Sequence, residues 1–308
     1  MKIENILVTG RIYQELKELI PQRVDKNMLF LPEKNVKAED LEWADAYVAF
    51  QPTANFHFGN LKWVHSLGAG VDRYLDLPSW KSDVLLTRTI TSFGQRIGEF
   101  VLSHILHDLQ HHKKFQQQQL TKKWQVEPPK LLCDINVIIY GTGEIGQEVA
   151  RILSFFNVTV YGISISGEAI KHFSKVMKSA DRALLQQVDY VINTLPLTPM
   201  TNHFFDSTFF EVLWDTTFIN VGRGMSVQVE DLLRALEKGY VKRAVLDVFE
   251  IEPLPSESPL WTHSKITITP HISAITTPEE AVECFLQTLQ DVENEQLPKN
   301  SVDLQKNY

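Results

Sequence analysis

The chain has 308 residues, of which 44% are hydrophobic and 22% charged, with a net charge of −8. This length and balance fit two ordinary globular domains and exclude a disordered or fibrous chain. The negative field argues against a general affinity for nucleic acid or anionic membrane, so an anionic substrate needs a local positive site.

The two cysteines, Cys133 and Cys284, lie far apart and show no metal-ligand spacing. No disulfide framework is expected, and a reducing, cytoplasmic setting is the natural expectation. The start, Met1-Lys2-Ile3-Glu4-Asn5, lacks the apolar core of a signal peptide. No apolar run approaches the ~20 residues that would span a bilayer.

The first third alternates short apolar runs with amphipathic stretches. Ile6–Val8, Met28–Phe30, Ala46–Ala49, Trp63–His65 and Val84–Leu86 read as strands, and Arg11 to Ile20 reads as a helix stopped by Pro21. A long helix is expected from about Gly98 to Gln119. Its His104, His107 and His111 are spaced to share one face, which reads as a packed or partner-facing surface and not as a metal site. The segment Glu127-Pro128-Pro129 marks a break.

A second alternating series begins at Ile135. Its strands are expected at Asn136–Tyr140, Val158–Ile163, Tyr190–Asn193, Phe218–Val221, Ala244–Asp247 and Thr267–Ile268. Its best helices are Glu144–Phe155 and Glu230–Lys238, the latter closed by Gly239. A last amphipathic helix runs from about Pro278 to Val292. Strands alternating with helices predict an α/β fold with parallel sheets covered on both faces.

Gly141-Thr142-Gly143-Glu144-Ile145-Gly146 joins the first strand and first helix of this second series. A lone G-x-G-x-x-G is weak evidence, but the strand before it and the helix after it supply the context of a dinucleotide site. Gly141 permits the turn, Gly143 lets the backbone approach a pyrophosphate, and Gly146 lets the helix pack on its strand. The N–H groups at the helix start then bind phosphate. The acidic residue expected ~20 positions on, which would bind a ribose 2′-OH, is absent. Ser164 stands there, followed by Ile165, with no arginine to clamp a 2′-phosphate. The cofactor is therefore NAD or NADP, with a slight lean to NADP.

Three further phrases follow in order. They are Asn220-Val221-Gly222-Arg223-Gly224, Ala244 to Pro255 with Asp247 and Glu252, and Thr269-Pro270-His271-Ile272-Ser273-Ala274. With these, the chain resembles the D-isomer-specific 2-hydroxyacid dehydrogenase family, most strongly from Cys133 to Ala274. Leu67-Gly68-Ala69-Gly70-Val71-Asp72 and Ile97-Gly98-Glu99-Phe100 resemble the family's first domain, in particular its glyoxylate/hydroxypyruvate reductase branch.

The resemblance implies a NAD(P)-dependent oxidoreductase acting on a small 2-oxo acid. His271 would be its acid–base, Glu252 the partner that orients the imidazole, and Arg223 the holder of the substrate carboxylate. The residue types suit these roles, because His transfers protons near neutral pH and Arg offers a fixed fork of donors. Gly68, Ala69 and Gly70 would form a second carboxylate clamp through backbone N–H groups. Asp247 would bond the nicotinamide carboxamide, Thr194, Leu195 and Pro196 would line the nicotinamide half, and Val221 and Gly222 would also bind the cofactor.

The architecture implied is a Rossmann dinucleotide-binding domain, residues 101–274, inserted into a flavodoxin-like substrate domain of residues 1–100 plus 275–308. A homodimer through the nucleotide domain is expected, with no regulatory extension, nucleic-acid partner or membrane partner. Side-chain specificity is expected from the first domain, around residues such as Trp43, Phe56 and Tyr74. The alternative is a dinucleotide-sensing binding protein on the same fold.

Overall fold

The structure, a computed structural model, describes residues 1–304. The end of the expected substrate domain, residues 305–308, lies outside the described residues. The chain forms two compact units. One is Met1–Thr91 with the segment from Thr276 onward, and the other is Ser92–Ile275.

The first unit holds the strands β1 (Asn5–Thr9), β2 (Asn27–Leu31), β3 (Ala46–Ala49), β4 (Trp63–Ser66) and β5 (Leu85–Arg88). They pair in the order β2-β1-β3-β4-β5, every neighbour parallel. Helices α1 (Tyr13–Leu19), α2 (Ala38–Trp43) and α3 (Asp72–Leu75) connect them. Ala46–Ala49 is buried throughout, as a central parallel strand covered on both faces must be.

In the second unit α4 (Phe93–Leu109) and α5 (His112–Leu120) come first. Strands β6 (Asn136–Tyr140), β7 (Thr159–Ile163), β8 (Lys175–Met177), β9 (Tyr190–Asn193), β10 (Thr216–Asn220), β11 (Val241–Leu246) and β12 (Ile266–Ile268) follow, with α6 (Glu144–Phe155), α7 (Arg182–Leu185), α8 (Ser207–Phe210) and α9 (Val229–Lys238) between them. The sheet order is β12-β11-β10-β9-β6-β7-β8, again all parallel. The order reverses direction at β6 and β9. In doubly wound sheets this switch point is where ligands bind, outside the carboxyl ends of the strands.

The final helix, α10 (Pro278–Glu293), belongs to the first unit. A capping box starts it: Thr277 Oγ1 accepts from Glu280 N and Glu280 Oε2 accepts from Thr277 N, both at 3.3 Å, with Pro278 at the first helical position. Its Phe285 stacks on Trp63 with ring centroids 5.5 Å apart.

Most expected elements form within a residue or two of their predicted ends, but four expectations need correction. The helix foreseen from Gly98 to Gln119 begins at Phe93 and breaks at His111, whose φ of 55° is left-handed. Because α4 runs unbroken from Phe93 and packs along α6, the Ile97–Phe100 phrase lies in the second unit, whose boundary falls at Ser92. The left-handed turn also takes His111 off the face of His104 and His107. Its Nε2 lies 3.2 Å from Pro128 O, His107 faces His112, and His104 packs on Phe100.

The fourth correction concerns specificity. Tyr74 is buried and donates from its hydroxyl to Ala49 O at 2.9 Å. Phe56 packs edge-on between Tyr47 and Phe58 in the same aromatic cluster. Trp43 ends α2 just before β3 begins, at the amino end of the sheet and away from the carboxyl ends where ligands bind. These three side chains build and flank the core of their unit.

Candidate active site

The glycine loop leaves β6 as the sequence requires. Gly141 has φ 99°, a conformation open to glycine, and its N–H donates to Ile163 O at 3.0 Å. A Cβ on Gly146 would stand 1.9 Å from Gly141 O, so only glycine allows α6 to start this close to the turn. A Cβ on Gly143 would meet nothing within 4 Å, which leaves the backbone there open to an approaching ligand.

No side chain caps the start of α6. The N–H groups of its first turn, including those of Glu144 and Ile145, therefore point toward the carboxyl edge of the sheet with the positive end of the helix dipole behind them. Thr142 carries Gln147 on its carbonyl, Nε2 to O at 2.9 Å, which stiffens the loop. These features fit a dinucleotide pyrophosphate.

The neighbouring strand end completes the cradle. Thr194 Oγ1 lies 3.0 Å from both Tyr140 O and Gly141 O and ties the β9 loop to the glycine loop. Leu195 N donates to Asn193 Oδ1 at 2.9 Å, and Pro196 O accepts from Thr201 Oγ1 at 2.6 Å. A Cβ on Gly222 would reach 2.8 Å from Leu195 O, so the β10 loop with Val221 and Gly222 lies directly on the Thr194–Pro196 segment. Ser164, one residue beyond β7, accepts from Gly167 N at 3.1 Å and shapes the turn there.

Arg223, Glu252 and His271 leave three adjacent strands. Arg223 follows β10, and a Cβ on Gly224 would overlap the Phe249 carbonyl carbon at 1.9 Å. That contact brings the arginine loop onto the segment that carries Glu252. Glu252 Oε1 accepts from Phe249 N at 2.9 Å, and Glu252 Oε2 lies 2.7 Å from His271 Nδ1.

Burial pushes the Glu252 carboxyl up. The hydrogen bonds from His271 and Phe249 N, with the charges of His271 and Arg223, outweigh that and hold it below the ordinary carboxylate value. The His271 side chain is half exposed, so its far nitrogen is accessible while Nδ1 is engaged.

Asp247 is fully buried, and its carboxylate is committed to the chain. Oδ1 accepts from Thr269 Oγ1 at 2.5 Å and Ile272 N at 2.9 Å, and Oδ2 accepts from Ser273 N at 2.9 Å. His271 N also donates to Asp247 O at 2.9 Å. Asp247 thereby fixes the Thr269–Ser273 loop and holds His271 at a left-handed φ of 53°. The resemblance implies that Asp247 bonds the cofactor carboxamide; in the fold its carboxylate oxygens bond the histidine loop. The Phe249 N–H that orients Glu252 carries no side-chain signal, and no sequence motif could have found it.

In the first unit, Ser66 Oγ at the end of β4 lies 3.2 Å from Gly68 O, 3.1 Å from Gly70 O and 3.3 Å from Gly68 N. The Gly68–Gly70 turn is thus organised by one serine. Gly68 N uses its donor on Ser66, which leaves the N–H groups of Ala69 and Gly70 for an external acceptor.

Among the described residues no cluster of His, Cys, Asp and Glu is arranged for a metal, and no helix is long and apolar enough to cross a membrane.

Known proteins are similar to this chain in sequence and fold. The sequence profile of the D-isomer specific 2-hydroxyacid dehydrogenase, NAD binding domain, matches residues 102–273, more than half of the chain. A D-isomer specific 2-hydroxyacid dehydrogenase family protein from Aeromonas salmonicida subsp. salmonicida A449 is 30% identical over 98% of this chain and 100% of its own, with a TM-score of 0.86. A D-isomer specific 2-hydroxyacid dehydrogenase from Xanthobacter autotrophicus Py2, solved in complex with NADPH and MES, is 29% identical over 100% of both chains, with a TM-score of 0.88. An NADPH-dependent glyoxylate/hydroxypyruvate reductase from Sinorhizobium meliloti, solved in complex with NADP and sulfate, is 27% identical over 99% of this chain and 100% of its own, also with a TM-score of 0.88. With its glycine-loop cradle, its Arg–Glu–His set and a family match over most of its second unit, the chain belongs to the D-isomer-specific 2-hydroxyacid dehydrogenases.

Proposed function

We propose that the protein reduces a small 2-oxo acid to the D-2-hydroxy acid, with NADPH preferred to NADH, and that His271 is its acid–base. The observation that carries this reading is the His271 Nδ1 to Glu252 Oε2 contact at 2.7 Å, on a carboxylate that Phe249 N–H already fixes. The likeness to an NADPH-dependent glyoxylate/hydroxypyruvate reductase supports the cofactor and the substrate class.

When bound, the reduced nicotinamide supplies the hydride that reaches C2 of the substrate. The glycine loop and the open first turn of α6 would hold its pyrophosphate, and the Thr194–Pro196 and Val221–Gly222 segments its nicotinamide half. The chain's own residues manage charge and proton. Arg223 pairs with the substrate carboxylate and stabilises the oxygen on which negative charge develops. His271 transfers its proton to that oxygen from Nε2, because Nδ1 faces Glu252. Glu252 orients the ring through its contact with Nδ1. Asp247 keeps the histidine loop in place throughout. The same reading makes the protein a cytoplasmic homodimer.

The test is a panel of glyoxylate, hydroxypyruvate, pyruvate and branched 2-oxo acids, each with NADPH and with NADH, followed by loss of reduced-nicotinamide absorbance. Turnover of at least one acid is expected, faster with NADPH. Tight dinucleotide binding with no turnover across the panel would replace the enzyme with a sensor on the same fold.

A further inference from the structure

The sequence raises a difficulty that the fold resolves. If the cofactor is NADPH, its adenosine 2′-phosphate needs a cation, and the five residues that directly follow β7 include none: they are Ser164-Ile165-Ser166-Gly167-Glu168. We propose that the cation comes from the neighbouring strand, and that Lys178 is the residue that selects for a 2′-phosphate on the adenosine ribose. The inference rests on the dinucleotide reading above and adds to it the residue that sets cofactor preference.

β8 is the edge strand beyond β7 and runs parallel to it, with Tyr161 opposite Lys175, Gly162 opposite Val176 and Ile163 opposite Met177. One step further, Ser164 lies beside Lys178, and the ladder extends that far because Ser164 N donates to Met177 O at 3.0 Å. Both residues therefore stand at the carboxyl edge of the sheet.

Lys178 is also packed on the turn that follows. Gly167 has φ 67°, and a Cβ there would lie 2.9 Å from Lys178 Cγ and 3.2 Å from Lys178 N. Glycine at 167 lets the lysine stem lie along the Ser164–Gly167 turn. Lys178 itself is exposed, so its ammonium is available to a ligand. The turn is held from within by Gly167 N to Ser164 Oγ at 3.1 Å, and Ser166 Oγ accepts from Glu168 N at 3.3 Å.

A dinucleotide whose pyrophosphate sits on the α6 start extends its adenosine ribose toward the end of the second strand of the fold, here β7. A ribose 2′-phosphate at that point would meet two serine hydroxyls and one ammonium, with no carboxylate at position 164 to repel it. Glu168, at the far end of the turn, is the nearest acidic residue in sequence and points the selection the other way. The balance between Lys178 and Glu168 is what the experiment reads.

The probes are adenosine 2′,5′-bisphosphate and 5′-AMP, bound to the full chain and followed by titration calorimetry. They differ only in the 2′-phosphate, and their affinity is read without turnover. The intact protein should bind the bisphosphate more tightly than AMP. Lys178→Ala should lose roughly tenfold in affinity for the bisphosphate, the scale of one charge-assisted contact, and change AMP binding less than about twofold. Lys178→Arg should retain the preference, and added salt should narrow it.

Equal loss for both probes in Lys178→Ala, or an unchanged preference, would overturn the assignment of Lys178. If the intact protein binds both probes equally while turning over a 2-oxo acid with NADH, the lysine inference falls and the reductase reading stands. If neither probe binds, the dinucleotide reading falls first and the inference with it.

Discussion

His65 makes the first unit sensitive to acid in a way that can be calculated. It sits fully buried on β4, with Nδ1 2.8 Å from Thr87 Oγ1 and Nε2 3.3 Å from Thr89 Oγ1. Its ring contacts are Trp63 and Phe285 at centroid distances of 5.6 and 5.9 Å, and burial alone pushes its pKa down to about 3. No carboxylate compensates a charge on the ring.

In the unfolded chain the same imidazole titrates near 6.5. Above that pH both states are neutral and His65 contributes nothing. As pH falls below it, the unfolded chain takes up a proton that the folded one refuses, so stability is lost from about pH 6.5 down towards the folded value. Between pH 7 and pH 5 the loss is about 2 kcal/mol, and it needs only that the folded pKa lie well below 5.

Urea unfolding at the two pH values, followed by tryptophan fluorescence and circular dichroism, measures it. His65→Gln keeps a polar, non-titrating side chain in the same place. The difference between the two proteins should narrow by about 2 kcal/mol on going from pH 7 to pH 5, whatever the variant costs at neutral pH. Parallel pH dependence in the two proteins would show that His65 is charged, or free to be charged, in the folded state. The result bears on function because Thr89 Oγ1 also donates to Ser66 O at 2.9 Å, and Ser66 organises the Gly68–Gly70 turn.

His271→Ala should lower kcat by ~10²–10⁴ in steady-state assays, the scale of a lost acid–base, and near-normal turnover would remove His271 from that role. The Glu252 carboxyl is held below its ordinary value, so its charge is present through the neutral range and is lost only as pH falls through that lowered pKa. Glu252→Gln should therefore alter the pH–rate profile of kcat at neutral pH more than it alters cofactor affinity, and an unchanged profile would count against the pairing. Gly146→Ala sets a methyl 1.9 Å from Gly141 O, against backbone that cannot swing aside. It should cost ~1–3 kcal/mol in thermal or urea unfolding and sharply weaken dinucleotide binding, and binding equal to the parent would mean that the loop geometry is not what holds the cofactor.

Much of the fold was legible because it follows from local pattern. Buried parallel strands must be apolar on both faces, so Val137–Tyr140 and Tyr190–Asn193 stood out in the sequence. The glycine loop was legible because its three glycines answer three steric demands, and the Gly146 clearance of 1.9 Å gives one of those demands a measure. Two of the features missed, β8 and the break at His111, fail for stated reasons. Lys175-Val176-Met177 is too short and too charged to read as a strand until β7 offers it an edge. His111 turns left-handed with no glycine to announce it.

The sequence by itself determined two parallel α/β units, a dinucleotide-type glycine loop and an Arg, a Glu and a His in motifs of one family, because each of these depends on residues near one another in the chain. The tertiary structure decided which oxygen of Glu252 meets His271 and which is tied to Phe249 N–H, and that Asp247 anchors the histidine loop. It also decided that Lys178 stands beside Ser164. Those facts depend on how loops and neighbouring strands come together in the sheet, where register and loop geometry, and not local pattern, choose the neighbours.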